Sequence, residues 1–203
     1  MSQTDHQKNV ARDPKESFAA PSREEINSLP IASYSGAITL VRTREQLDEA
    51  LCTLSREALL GFDTEARPTF TKGKTSSPAL VQLAAEHTVF VIQLVHVPFN
   101  DGLAAILANS GIVKAGVAVR DDLKALMALD PFEPASCTDI AALARARGYK
   151  AQGLRSLAAM FLNIRVSKSV QCSNWEKPTL TPRQIAYAAT DAWVSRELYK
   201  VLA

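Results

Sequence analysis

The stretch LLGFDTEARP closes an apolar run with two acids, Asp63 and Glu65, separated by a single residue. On a strand, side chains two apart point to the same side, so Asp63 and Glu65 converge while Thr64 faces away. Crowded carboxylates repel and raise one another's pKa unless a cation neutralises them, and hard divalent ions such as Mg²⁺ take oxygen ligands of this kind. The same pair also suits a solvated turn with no chemistry. More carboxylates stand in VKAGVAVRDDLKAL, where Asp121 and Asp122 follow an apolar segment. Asp favours the start of a helix, as a cap and as a partner for the positive end of the dipole. Capping accounts for one of the two and leaves the other spare, with Gly116 just ahead permitting close backbone approach.

A further acid lies in AYAATDAWVSRELYKVLA. Thr181, Pro182 and Gln184 predict a helix start, by capping box and first-turn proline. Residues four, seven and eleven apart then share a face, so Tyr187, Asp191, Val194 and Leu198 form one stripe with an apolar end. Asp191 is expected to point inward, where a lone carboxylate costs at least ~2 kcal/mol. It needs a partner, and with Asp63, Glu65 and one of the DD pair there are acids enough for a two-ion site. Tyr187 fits a core stripe, but its hydroxyl, one turn from a metal-bound aspartate, can also orient or help deprotonate a water acidified by the ion. Its ordinary pKa of ~10 makes it a poor base without such help.

The elements that must hold these groups are readable from periodicity. AITLV from Ala37 predicts a strand, and Thr43 with Gln46 caps a helix carrying Leu47, Ala50, Leu51 and Leu54. Strands over roughly 58–63, 79–85 and 88–94 form a meander, its first loop being TKGKTSSP. Ile112 to Val117 reads as a buried strand between helical patterns at Leu103 to Leu107 and Leu123 to Leu129. Helices follow at Asp139 to Arg147, at Leu154 to Leu162 with Leu154, Leu157, Ala158 and Phe161 on one face, and from Thr181. The expected class is α/β, a mixed sheet with helices on both sides.

The chain as a whole has 203 residues and a net charge of +2, which suits one ordinary domain and does not by itself imply nucleic-acid binding. Residues 1–30 are polar, with Pro14, Pro21 and Pro30, and read as a flexible arm before a single domain over 31–203. No apolar run is long enough to span a bilayer, and the first residues lack the pattern of a secretory signal or transit peptide, so no membrane and a cytoplasmic setting are expected. Cys52, Cys137 and Cys172 lack the number and spacing of a disulfide framework or a zinc site.

Taken in order, DTE at 63–65, GVAVRDDLKAL at 116–126 and SNWEKPTLTPRQIAYAATDA at 173–192 resemble the three motifs of the DnaQ-like 3′-to-5′ exonucleases. Tyr-x-x-x-Asp in the third motif is similar to the DEDDy branch, and within it to the group of the Werner exonuclease domain and ribonuclease D. The resemblance runs from about Ile38 onward. It implies a ribonuclease H-like fold and hydrolysis at the 3′ end of single-stranded DNA or RNA, releasing nucleoside 5′-monophosphates. It also implies two Mg²⁺ or Mn²⁺ ions held mainly by Asp63, Glu65 and Asp191. On the spacing from Gly116, Asp122 rather than Asp121 carries the second motif and contributes directly or through water, while Tyr187 positions the attacking water. Substrate contacts are expected from Lys168, Thr64 and Trp175, with Arg67, Lys72 and Lys74 as further basic candidates. Phe62 and Phe70 are candidates for base stacking, though Phe62 also suits the core. Trp175 either stacks on a base or braces its loop. Ala66 stands where Werner-type sequences carry Trp, and the helical C-terminal domains of ribonuclease D are missing, which leaves a stand-alone exonuclease domain. No obligate protein partner is evident. Two other classes fit the same residues: a non-catalytic nucleic-acid- or protein-binding module on this fold, and a phosphohydrolase of small nucleotides.

Overall fold

The computed structural model describes residues 19–69 and 76–203. A capped helix α1 (Arg23–Ser28) and a short strand β1 (Ile31–Ala32) precede the main sheet. Strand β2 (Ala37–Val41) leads through the Thr43–Gln46 capping box into α2 (Arg44–Leu54). The meander follows as β3 (Leu59–Ala66), β4 (Pro78–Ala84) and β5 (Thr88–Gln93). Then come α3 (Asp101–Ala108), β6 (Val113–Gly116), α4 (Val119–Met127), β7 (Cys137–Asp139) and α5 (Ile140–Ala146). Helix α6 (Leu154–Leu157), strand β8 (Arg165–Val166) and the long α7 (Pro182–Leu202) complete the chain.

The main sheet has six strands in the order β2-β5-β4-β3-β6-β7, and every neighbouring pair is parallel except those made by β4. Strand β4 therefore runs against the other five. Alternation along β3 decides what each face carries. Leu60 and Phe62 join a core with Leu47 and Leu54 of α2, Leu103 and Leu107 of α3, and Leu123 and Leu126 of α4. On the other face Leu80, Ala84, Val89 and Val91 pack under Ala188, Ala189 and Ala192 of α7, and Leu59 and Val113 meet α5 and the end of α7. Helices thus cover both faces. Phe62 is 1% exposed and belongs to the core, not to a stacking surface.

Gly61 is what lets α7 lie so close to β3. A Cβ there would stand 1.9 Å from the Ala192 carbonyl oxygen and 2.9 Å from Arg196 Cβ. Arg196, itself buried, fastens the crossing by donating from Nε to the Leu59 carbonyl at 3.3 Å. Gly61→Ala is expected to push backbone against backbone, costing roughly 1–3 kcal/mol as overpacking does, and thermal unfolding checks it.

Three local features differ from the sequence-based expectation. The segment after Leu157 continues as a π-helical turn, Ala158–Leu162, because a wider turn lets Ala158 and Ala159 seat in the core while Asn163 reverses the chain with φ 55°. Neither Asp121 nor Asp122 is the cap of α4: that place is taken by Ala118, in the left-handed region at φ 60°, and both acids sit in the first turn. Within the span expected as an arm, residues 1–18 lie outside the described ones, but 23–28 form α1. Ser22 and Glu25 cap it reciprocally, and Ile26 is buried. Among the described residues no helix is long and apolar enough to cross a membrane.

Candidate active site

Asp63 and Glu65 lie at the end of β3, on the face that α7 covers, beside a register irregularity between Glu65 and Ala66. Such irregularities re-aim side chains at strand ends. Capped at Thr181, α7 crosses over Gly61 and delivers Asp191, 5% exposed, to the same spot. One carboxylate oxygen from each of Asp63, Glu65 and Asp191 lies within 4.8 Å of the other two.

The electrostatic result is strained. Burial, then the charges of Asp191, Glu65 and Asp122, push the Asp63 carboxyl well above the usual range. Burial and the charges of Asp191 and Asp122 raise Glu65 to about 9. Asp191 is raised to about 7 by burial, partly offset by a hydrogen bond from the Tyr187 hydroxyl. Tyr187 is itself raised, first by burial and then by the acids around it. One Asp191 oxygen, Oδ1, is buried with no hydrogen-bond partner among the described residues. Three hard oxygen donors this close together, with an unpartnered oxygen on Asp191, suit a hard divalent cation.

Asp122 is placed differently from the other three acids. It comes from α4, on the far face of the sheet, and accepts a 2.5 Å hydrogen bond from the Thr64 hydroxyl. Burial raises its pKa, and the Thr64 bond pulls the other way. The alternation that points Asp63 and Glu65 toward α7 points Thr64 toward α4. The Thr64 hydroxyl, expected as a substrate contact, is the donor to Asp122 in this structure.

Trp175 also departs from a base-stacking role. It is fully buried at 0% exposure, donates from Nε1 to the Gln171 carbonyl at 3.3 Å, and lies against Tyr187 with ring centroids 5.9 Å apart. The bracing alternative is the one this geometry favours. Arg67 forms an exposed ion pair with Glu176 at 3.3 Å, tying the end of β3 to the same loop. Lys168 is exposed and lines the cavity that opens onto Tyr187 and Asp191. Phe70, Lys72 and Lys74 lie outside the described residues.

Gln82 is a residue the sequence reading passed over. It is paired in register with Asp63 on the adjacent strand, fully buried, and among the described residues neither its Oε1 nor its Nε2 has a partner. A polar residue inside the otherwise apolar PALVQLA was the available signal.

Five co-directional strands, one opposed strand, helices on both faces and an acid cluster where β3 meets the last helix define the ribonuclease H-like class. The comparisons with known proteins then narrow it. Residues 38–203 match the family model described as 3′-5′ exonuclease, and the chain belongs to that family. Ribonuclease D of Gluconacetobacter diazotrophicus is 32% identical over 168 residues, covering 80% of this chain and 42% of the relative. The bifunctional 3′-5′ exonuclease/ATP-dependent helicase WRN of Mus musculus is 32% identical over 194 residues, covering 87% of this chain and 13% of that protein. The chain thus spans less than half the length of both. The solved Aedes aegypti Nibbler EXO domain superposes with a TM-score of 0.77 over 84% of this chain and 90% of its own, at 23% identity, a likeness of fold.

Proposed function

We propose that this chain is a divalent-cation-dependent 3′-5′ exonuclease that removes nucleoside 5′-monophosphates from the 3′ end of single-stranded DNA or RNA. The observation that carries the reading is the convergence of Asp63, Glu65 and Asp191 within 4.8 Å in a member of this family. These three acids would hold two Mg²⁺ or Mn²⁺ ions, with Asp122 contributing directly or through water. Bound ions supply an acidified water and neutralise charge on the leaving 3′ oxygen.

The chain's own residues do the positioning. Tyr187, hydrogen-bonded to Asp191, presents its hydroxyl to the attacking water and fixes the side from which it approaches the terminal phosphorus. Trp175 holds the Tyr187 ring from behind, so the hydroxyl does not wander. Thr64 keeps Asp122 turned toward the site. Lys168, on the cavity rim, meets a phosphate oxygen of the substrate. Residues 31–203 constitute the catalytic domain in this proposal, working in the cytoplasm without an obligate protein partner.

The test is digestion of matched 5′-labelled DNA and RNA strands, each with a free or a phosphorylated 3′ end, with the released products identified. A ladder shortening from the free 3′ end, with nucleoside 5′-monophosphates in solution, is expected. Turnover of dinucleotides alone would mark a small-nucleotide hydrolase, and binding without any cleavage a non-catalytic module; either contradicts the proposal.

A further inference from the structure

The family match begins at residue 38, yet residues before it help to wall the site. A cavity of about 600 Å³ opens onto Tyr187 and Asp191, within the ~300–1,000 Å³ range of small-ligand pockets. It is also lined by Arg23 and Ile26 of α1, by Arg155 of α6 and by Lys168. Helix α1 is fixed there by buried Ile26 and by the Arg155 guanidinium, which donates from Nη2 to Asn27 Oδ1. Just beyond it, the Pro30 carbonyl accepts from the Arg165 amide at 2.9 Å, and β1 pairs in parallel with β8.

The positive charges lining this cavity have no anionic partner among the described residues: none of Arg23, Arg155 and Lys168 takes part in an ion pair, and Arg155 Nε is buried without a hydrogen-bond partner. A polyanion approaching the acid cluster meets repulsion from the acids. Cations lining the same cavity as Asp191 offset that repulsion for a ligand that lies in the cavity.

We infer that Arg23 and Arg155 form an upstream phosphate subsite, in which the segment from Pro21 to Asn27 is the wall that holds the nucleotides preceding the 3′-terminal one. The inference rests on the exonuclease reading for the direction of the strand. Its ligand is the phosphodiester backbone of a single strand, engaged without reading the bases.

Binding of a fluorescent eight-nucleotide strand to the full chain, followed by anisotropy across a salt series with Mg²⁺ at low temperature, tests this alongside KM for strands of two to eight nucleotides. The variants are Arg23→Ala, Arg155→Ala, Asn27→Ala and, as a charge-matched control on remote α2, Arg44→Ala. Removal of either subsite cation should weaken binding by about 3- to 10-fold and lower the log–log salt slope by about 0.7, the single-strand value for one phosphate contact. The rise in KM should grow with strand length, and Arg44→Ala should match the wild type. Arg23 is exposed, so its loss leaves the fold intact and the result interpretable. Unchanged slopes in both Arg variants overturn the subsite, as does an equal weakening in Asn27→Ala, which would make Arg155 a brace for α1. A wild type that binds without cutting contradicts the exonuclease reading instead, while the slopes still judge the subsite.

Discussion

Asp191→Asn is expected to yield a folded protein that has lost its nuclease activity, by more than the ~10²–10³-fold that one preorganised transition-state donor is worth. The substitution keeps shape and the possibility of a Tyr187 contact but replaces an anionic oxygen donor at an acid whose Oδ1 is buried and, among the described residues, unpartnered. Divalent-ion affinity should fall with it. In metal-free buffer near pH 8 the same variant should be more stable than the wild type, because it removes a charge from a buried group of like charges. Parallel digestion assays and thermal unfolding in EDTA check both halves. Lost activity together with lost stability would point instead to a structural role for Asp191.

The second large effect concerns pH and metal. In the metal-free chain Glu65 is raised to about 9 and Asp191 to about 7, and Asp63 and Asp122 are also raised, all chiefly by burial. A carboxyl whose folded pKa exceeds its unfolded value binds more protons in the folded state between the two. Stability therefore falls as pH rises through that window, here from about 4.5 to about 9. With ~1.4 kcal/mol per unit as a ceiling and solvent relaxation below it, the loss should be roughly 1–3 kcal/mol. Saturating Mg²⁺ or Mn²⁺ should abolish most of that slope and raise the Tm at pH 8 by about 5–10 °C, given ~2–4 °C per kcal/mol at this size. A metal-free Tm that is flat or rises between pH 5 and 9 would contradict this account.

The acids were legible in the sequence because each obeys a local period. A two-residue repeat pairs Asp63 with Glu65, and a helical stripe turns Asp191 inward, so three carboxylates of known direction lie on two predictable elements. Capping boxes at Thr43 and Thr181 marked the helix starts equally well. What the local period does not encode is what a side chain meets after the sheet is covered. Thr64 was readable as facing away, but its partner Asp122 is 58 residues on, on a helix of the other layer. Trp175, bounded by polar neighbours, is readable either as a stacking aromatic or as a brace for its loop, and only the packed structure, which buries it against Tyr187, favours the second. Gly61 sits in an apolar strand where a glycine reads as a weak point, and the crossing of Ala192 above it is invisible until the layers pack. Helix α1 was masked by polar composition, since Ile26 is the lone buried residue of its six.

In the proposed reading one acid cluster, Asp63, Glu65 and Asp191, makes this chain a cation-dependent exonuclease. Digestion of one 5′-labelled strand by the wild type and by Asp191→Asn, each with Mg²⁺, with Mn²⁺ and with EDTA, tests it most directly. A ladder from the 3′ end in the wild-type lanes containing metal, and in no other lane, is the predicted result. Digestion that persists in EDTA, or in the folded Asp191→Asn protein, would contradict it.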